Sequence, residues 1–223
     1  MKIYAFDGSP TSRVVLLFCA EERIEFTKVD INLLEGAHLA PSYQAINPCS
    51  LVPVLEDGDF RLSESSTILK YLAEKFESRA YPSEPKSRAK VHEAMDWLNT
   101  SLYRVLGYNF IYPQLYPHHR REPEEVNQGT IRWGRERTGL YLQLLDRHWL
   151  GEKRFLCGNQ LTLADYFGAP IVALLDLVRA DLSQFQNVRR WMAEMRKLAA
   201  WDAVHAMHNQ TVVSLADRKF VSL

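Results

Sequence analysis

The chain has 223 residues, 47% of them hydrophobic, which suits one large domain or two small ones with buried cores and excludes a disordered chain. Lys and Arg number 27 against 27 Asp and Glu, so no net charge is present to hold nucleic acid or an anionic membrane surface. Three well-separated cysteines, Cys19, Cys49 and Cys157, form no C-x-x-C pair, which argues against a zinc site, a disulfide framework or a dithiol redox centre and points to a reducing compartment.

In chain order, MKIYAFDG carries an acid at position 7 where a secretory signal would stay apolar, and no later stretch approaches 18 apolar residues; the sequence reads as soluble and cytoplasmic. KIYAF predicts a buried strand and Ser12 to Glu22 a helix. Three hydroxyls, Ser9, Thr11 and Ser12, crowd the gap between them; capping the helix needs one, which leaves at least one for another task. Phe26 to Ile31 predicts a second strand, parallel to the first through a right-handed βαβ unit. Val52 to Glu56 and Phe60 to Leu62 read as strands around Asp57-Gly58, a hairpin signal. Pro53, heading that hairpin, either begins an edge strand in trans or carries a cis bond. Leu62 to Leu72 opens a helix capped by Ser or Glu, with Ile68, Leu69 and Leu72 at helical spacing.

ESRAYPSEPKS, after Phe76, has the prolines and charges of a linker, giving domains at 1–78 and 88–223 around a connector at 79–87. Beyond it the pattern is helical. Arg88 to about Tyr116 forms a long aromatic-rich helix, and Glu124 to His148 another, with Trp133, Leu140, Leu144 and Leu145 on or near one face. Thr162-Leu163-Ala164-Asp165 has the form of a capping box with Asp in place of Glu, leading into FGAPIVALLDLV. Val188 to Met192 and Trp201 to Val204 supply the last helices. His118-His119-Arg120-Arg121 reads as a solvated loop, since adjacent histidines on a helix diverge and no third ligand is spaced to help. Trp133, Trp149, Trp191 and Trp201 are assigned to packing.

Strand, helix, strand, then a V-P at the head of a hairpin and a helix opening on Glu-Ser is the arrangement of the thioredoxin-like fold. With a helical domain after it, the chain resembles the cytosolic glutathione transferases, most of all the theta class and its bacterial relatives. The matching stretches are SPTSRVV, EGAHL, NPCSLVPVLEDGDFRLSESSTILKYL and LTLADYF, in order and correctly spaced. The resemblance implies an α/β plus all-α chain: a thioredoxin-like βαβ-ββα domain followed by a C-terminal helical bundle, pairing as a homodimer.

It also implies roles. Ser9, four positions before Arg13, falls on the family's catalytic serine, which donates a hydrogen bond to glutathione sulfur; Thr11 and Ser12 are left to cap the helix. Val52, before a cis Pro53, would pair its backbone with the glutathione peptide. Glu64 and Ser65 would hold the γ-glutamyl end, with its carboxylate at the helix N-terminus. His38 either reaches the glycyl carboxylate or is a solvated loop residue. A helix following a linker should face the first domain across a cleft, where Arg104, Tyr108 and Tyr112 would line the pocket for a small apolar electrophile. Glutathione is the implied co-substrate, with no metal. One departure stands out: Cys49-Ser50-Leu51 replaces the basic or polar residues often found before Val-Pro, which implies fewer ionic contacts to glutathione and lower activity. The competing readings are a non-catalytic glutathione-binding or regulatory protein of the same fold and, lowest in rank, disulfide reduction through Ser12 or Cys49.

Overall fold

The computed structural model describes all 223 residues. Its N-terminal part is a four-stranded mixed sheet of order β2-β1-β3-β4. β1 (Lys2–Ala5) runs parallel to β2 (Thr27–Asp30), with Ile3 opposite Lys28, and antiparallel to β3 (Val54–Asp57), with Ile3 opposite Leu55. Gly58, at φ 67°, makes the turn from β3 into β4 (Phe60–Ser63), a backbone position suited to a residue without Cβ. The period of two divides the strands' side chains. Ile3, Ala5 and Leu55 enter the main core with α1 (Pro10–Glu21) and α3 (Ser65–Lys75); Tyr4, Phe6 and Val54 form a second cluster with Ile31, Val52 and Tyr43 of α2 (Pro41–Gln44).

The C-terminal part is all-helical. α4 (Pro85–Trp97) runs on through a wider, π-type stretch at Leu98–Ile111 into α5 (Tyr112–Leu115), so the expected long helix is one rod in three segments that alternate between two hydrogen-bonding registers. α6 (Glu124–Leu144) continues similarly through Leu145–Leu150. α7 (Leu163–Val172), α8 (Gln186–Met195), α9 (Trp201–Val204) and α10 (Ala206–Ser214) complete the bundle. No helix is long and apolar enough to cross a membrane.

The packing face of α6 is not the one expected. Trp133, Leu140 and Leu144 stand in solvent, Trp133 being 47% exposed, and of the four residues named for that face only Leu145 is buried. The hidden side is Ile131, Gly134, Thr138, Leu142 and Leu145, spaced by threes and fours. Gly134 explains the choice: a Cβ there would stand 2.5 Å from the Asn109 carbonyl oxygen, so the helix backbones meet at a residue with no side chain. Trp133 therefore has no core packing role, whereas Trp191 and Trp201 are buried and Trp149 packs on Trp97 with ring centres 5.2 Å apart.

The capping box at α7 forms as expected, with more partners than its motif requires. Asp165, fully buried, accepts from the Thr162 N–H and hydroxyl, the Leu156 N–H and the Trp191 indole, each at 2.9 Å. Burial raises its pKa to about 6 against the pull of those donors. α7 also packs on α1, Phe18 meeting Tyr166 edge-on at 5.4 Å. Nearby, Leu163 N–H donates to Ala80 O of the connecting segment at 2.9 Å, and Ala200 N–H donates to Glu21 Oε1 of α1 at 2.7 Å.

Candidate active site

β1 ends at Ala5, and the loop Phe6 to Ser9 delivers the chain to α1. Ser9, not Thr11 or Ser12, caps that helix: its φ and ψ are extended, Pro10 follows at the first helical position, and its Oγ accepts from the Ser12 N–H at 3.4 Å. This corrects the assignment of capping to the later hydroxyls. Ser12 instead turns its Oγ back to accept the Phe6 N–H at 3.2 Å, stitching strand end to helix. Thr11 points across to the hairpin, donating to Val52 O at 3.0 Å, and lies 2.9 Å from Ser9 Oγ.

A buried cation supports the loop from beneath. Arg13 is wholly buried and donates to the carbonyls of Asp7 (3.3 Å), Gly8 (3.0 Å) and, across in α7, Pro170 (3.5 Å). Burial pulls its pKa down to about 10, and Tyr112, Tyr103 and Tyr116 oppose that fall. No carboxylate pairs with it in the structure; carbonyl dipoles receive the charge.

The second wall is the segment Cys49 to Pro53. The Leu51 carbonyl accepts from Tyr43 Oη at 2.7 Å and Asn47 Nδ2 at 2.8 Å, which holds the chain as it turns into the Val52–Pro53 bond, cis here. The third is the start of α3. Glu64 occupies the N-cap position at φ 68°, a conformation that costs a non-glycine residue about 1 kcal/mol or more. Its side chain makes no capping bond, which corrects the expected cap by Ser or Glu. That backbone places Ser63, Glu64 and Ser65 on one side of the same cleft.

The cleft has a volume of about 190 Å³. Thr11, Val52, Pro53, Glu64 and Ser65 line it from the sheet part; Asn99, Tyr103, Arg104 and Tyr108, from the π-type stretch, line it from the helical part. The site residues read from the sequence therefore divide. Val52, Pro53, Glu64, Ser65, Arg104 and Tyr108 come together at one opening. Ser9 sits one layer behind Thr11, 8% exposed and outside the lining. Tyr112 is also behind it, buried, with its hydroxyl 3.0 Å from that of Tyr103 and its ring against Tyr108. His38 lies on the turn Ala37–Leu39, not among the lining residues, with Nδ1 buried and without a partner. Thr11, Asn47, Asn99 and Tyr103 join the lining unannounced; Tyr103 carried a signal, standing five residues before Tyr108 in an aromatic-rich helix.

His118 and His119 belong to a short turn, with ring centres 4.5 Å apart, and His119 packs against Tyr108 and Tyr112. Burial lowers the pKa of His119, and the neighbouring His118 and Arg121 lower it further. Cys49 is exposed at the rim of the cleft as a free thiol.

Chemically the site offers an α-helix N-terminus on each side, a peptide edge at Val52 between them and an aromatic wall opposite. That combination suits a ligand with an anionic end, an extended peptide portion and an apolar partner.

Comparison with known proteins gives one answer. Residues 3–80 match the family model described as glutathione S-transferase, N-terminal domain, and residues 119–199 match glutathione S-transferase, C-terminal domain. Glutathione S-transferase T1 of Arabidopsis thaliana is 33% identical over 214 residues, covering 88% of this chain and 83% of its own. Human glutathione S-transferase theta-1 is 32% identical over 203 residues, covering 90% and 80%. Among solved structures, human glutathione transferase theta-2, in complex with glutathione and an unknown ligand, superposes with a TM-score of 0.86 at 26% identity, covering 100% of this chain and 93% of that one.

Proposed function

The chain belongs to the glutathione S-transferase family and is theta-like, and on that footing we propose that it binds reduced glutathione in the cleft, keeps the sulfur ionised through Ser9 and directs it at an electrophilic carbon of a small apolar substrate. The observation that carries this reading is the convergence on one opening of Val52, the N-terminal turn of α3 and, from the helical part, Arg104 and Tyr108. In it, Val52 pairs its backbone with the tripeptide as an added strand, Glu64 and Ser65 hold the γ-glutamyl end, and His38 reaches toward the glycyl carboxylate. Arg104 and Tyr108 border the electrophile, with Tyr112 supporting Tyr108 from behind.

The energetics are sufficient without a stronger base. A free thiol, pKa about 8.5, is only a few per cent thiolate at neutral pH, and lowering that pKa by about two units takes roughly 2.7 kcal/mol of selective stabilisation. A hydroxyl hydrogen bond to a charged sulfur contributes about 1.5–3 kcal/mol, and the N-terminus of α1 about 0.3–1 more. Addition, substitution and glutathione-dependent dehalogenation share this first step. We place the boundary between the two units in the segment 79–87, and we read the protein as a cytoplasmic homodimer; the exposed row Val126, Trp133, Leu140 and Leu144 on α6 supports the pairing.

The test is spectroscopic. Glutathione titrated into wild-type protein at neutral pH should give the ultraviolet absorbance of a bound thiolate, and Ser9→Ala should abolish it. One observation favours a second reading, a non-catalytic glutathione-binding protein: Ser9 Oγ already has partners within the protein. Tight binding with no thiolate in either form would select that reading, and no binding would remove both.

A further inference from the structure

Thr11 is the one hydroxyl of the α1 start that lines the cleft, and its bonds determine where the hydrogens lie. Its Oγ1 is 3.0 Å from Val52 O and 2.9 Å from Ser9 Oγ. A carbonyl oxygen only accepts, so the single hydroxyl hydrogen of Thr11 goes to Val52. Ser9 must then be the donor toward Thr11, while its own oxygen accepts from the Ser12 N–H at 3.4 Å. The chain of bonds runs Ser9 to Thr11 to Val52. In this state the one hydrogen that Ser9 could offer a sulfur is already used.

We propose that Thr11 is a positioning residue that couples occupation of the Val52 carbonyl to the readiness of Ser9. When a peptide N–H of bound glutathione displaces the Thr11 hydrogen from Val52 O, Thr11 turns that hydrogen to Ser9 Oγ, and Ser9 turns its own to the sulfur. This rests on the reading of Ser9 given above. Neither hydroxyl loses its hydrogen; the thiol proton leaves to water. In the reversed chain Ser9 accepts from Ser12 and Thr11 and donates once, which fills the bonding capacity of a hydroxyl. An O–H that itself accepts hydrogen bonds is a stronger donor, so Ser9 meets the thiolate polarised by two neighbours. A protein with filled Val52 and armed Ser9 thus holds the anion only where the tripeptide is seated.

The experiment measures bound-thiolate absorbance against pH, with glutathione as probe, for Thr11→Val, Thr11→Ala and Thr11→Ser, in wild-type and Ser9→Ala backgrounds. Far-ultraviolet circular dichroism checks each fold, and Thr11→Ala decides alone should Thr11→Val unfold. The expected result is a bound-thiol pKa raised by about one unit in Thr11→Val and Thr11→Ala, a tenfold loss of thiolate well below that pKa. Glutathione affinity should stay within about threefold, because Val52 O remains in place for the ligand. Thr11→Ser should restore the wild-type value, and Thr11→Val should add nothing to Ser9→Ala. A wild-type thiol pKa in Thr11→Val or Thr11→Ala, with Ser9→Ala still raised, overturns the role of Thr11 and leaves that of Ser9. An unchanged thiol pKa in Ser9→Ala overturns both. A further rise when Thr11→Val is added to Ser9→Ala would mean that Thr11 touches the sulfur directly, and overturns the coupling.

Discussion

Arg13 donates to the Gly8 carbonyl at 3.0 Å, so a fully buried guanidinium on α1 holds the loop that presents Ser9 one residue later. Its other bonds, to Asp7 O and Pro170 O, make it a three-way tie between loop, sheet part and helical part. Arg13→Met leaves the Asp7 and Gly8 carbonyls without this donor, and we expect a loss of about 1–3 kcal/mol. Urea unfolding of the variant checks this; a midpoint within error of wild type would count against it. Arg13→Lys should recover little, since a single ammonium lacks the planar fork that serves the two loop carbonyls through Nη1 and Pro170 O through Nη2.

Gly134 admits the backbone of the π-type stretch against α6, with Asn109 O 2.5 Å and Phe110 N 2.9 Å from where a Cβ would stand. Gly134→Ala must push two helices apart despite its better helix propensity, and should cost about 2 kcal/mol. Gly139, with nothing near its missing Cβ, is the internal control: Gly139→Ala should stabilise slightly. Thermal melts of the two variants should move in opposite directions.

Asp165 ties Thr162, Leu156 and Trp191 together through one buried carboxyl. Asp165→Ala strands those donors in the core and should lower stability by about 3 kcal/mol or more, while Asp165→Asn keeps an acceptor and should cost less. Denaturant titration of both variants gives the order directly.

His205 is buried on Trp201, ring centres 3.8 Å apart, with Nδ1 at 2.9 Å from the Trp201 carbonyl. Burial, then the charge of Arg13, lowers its pKa to about 3. The unfolded chain binds this proton below about 6.5 and the folded chain does not, so the contribution of His205 is complete above 6.5 and is lost as pH falls toward 3. The slope should approach about 1.4 kcal/mol per pH unit within that window, and His205→Gln should flatten it by close to one proton. Unfolding free energies from pH 4 to 7 measure this; equal slopes in the two proteins would refute it.

Trp133 is the largest member of the exposed row on α6. If that row is where two copies meet, Trp133→Glu should give a monomer by light scattering after size exclusion, with the circular dichroism of the fold unchanged. A dimer that survives the substitution would put the contact elsewhere.

How much of this was legible follows from where each signal lives. Asp57-Gly58, the spacing of Ile68, Leu69 and Leu72, and Thr162 to Asp165 are local signals, and the hairpin, α3 and the capping box form where they were read. The face of α6 is not legible from its sequence because apolar bulk does not by itself mark burial. Its true inner side includes Gly134 and Thr138, which look like surface until a neighbouring backbone is known to lie against them. The start of α1 differs from expectation for another reason. Pro10 marks the first helical position and so names Ser9 as the cap, a signal present in the sequence and outweighed by the hydroxyls after it. As lining of the cleft, Val52, Glu64 and Ser65 were readable because the local signals of the hairpin and of α3 fall there. Thr11 was not, since its partner Val52 is 41 residues away and only the folded sheet brings them together.

One apolar core of 49 residues runs from Ile3 of β1 to Trp201 of α9 without a seam between the sheet and the helices. Parts that share one core resist hinging, since opening them would expose apolar surface. Under the proposed function, room for a bulkier substrate then comes from rotation of individual lining groups such as Tyr108 and Arg104, and substitutions there should alter substrate preference more than substitutions at the joint.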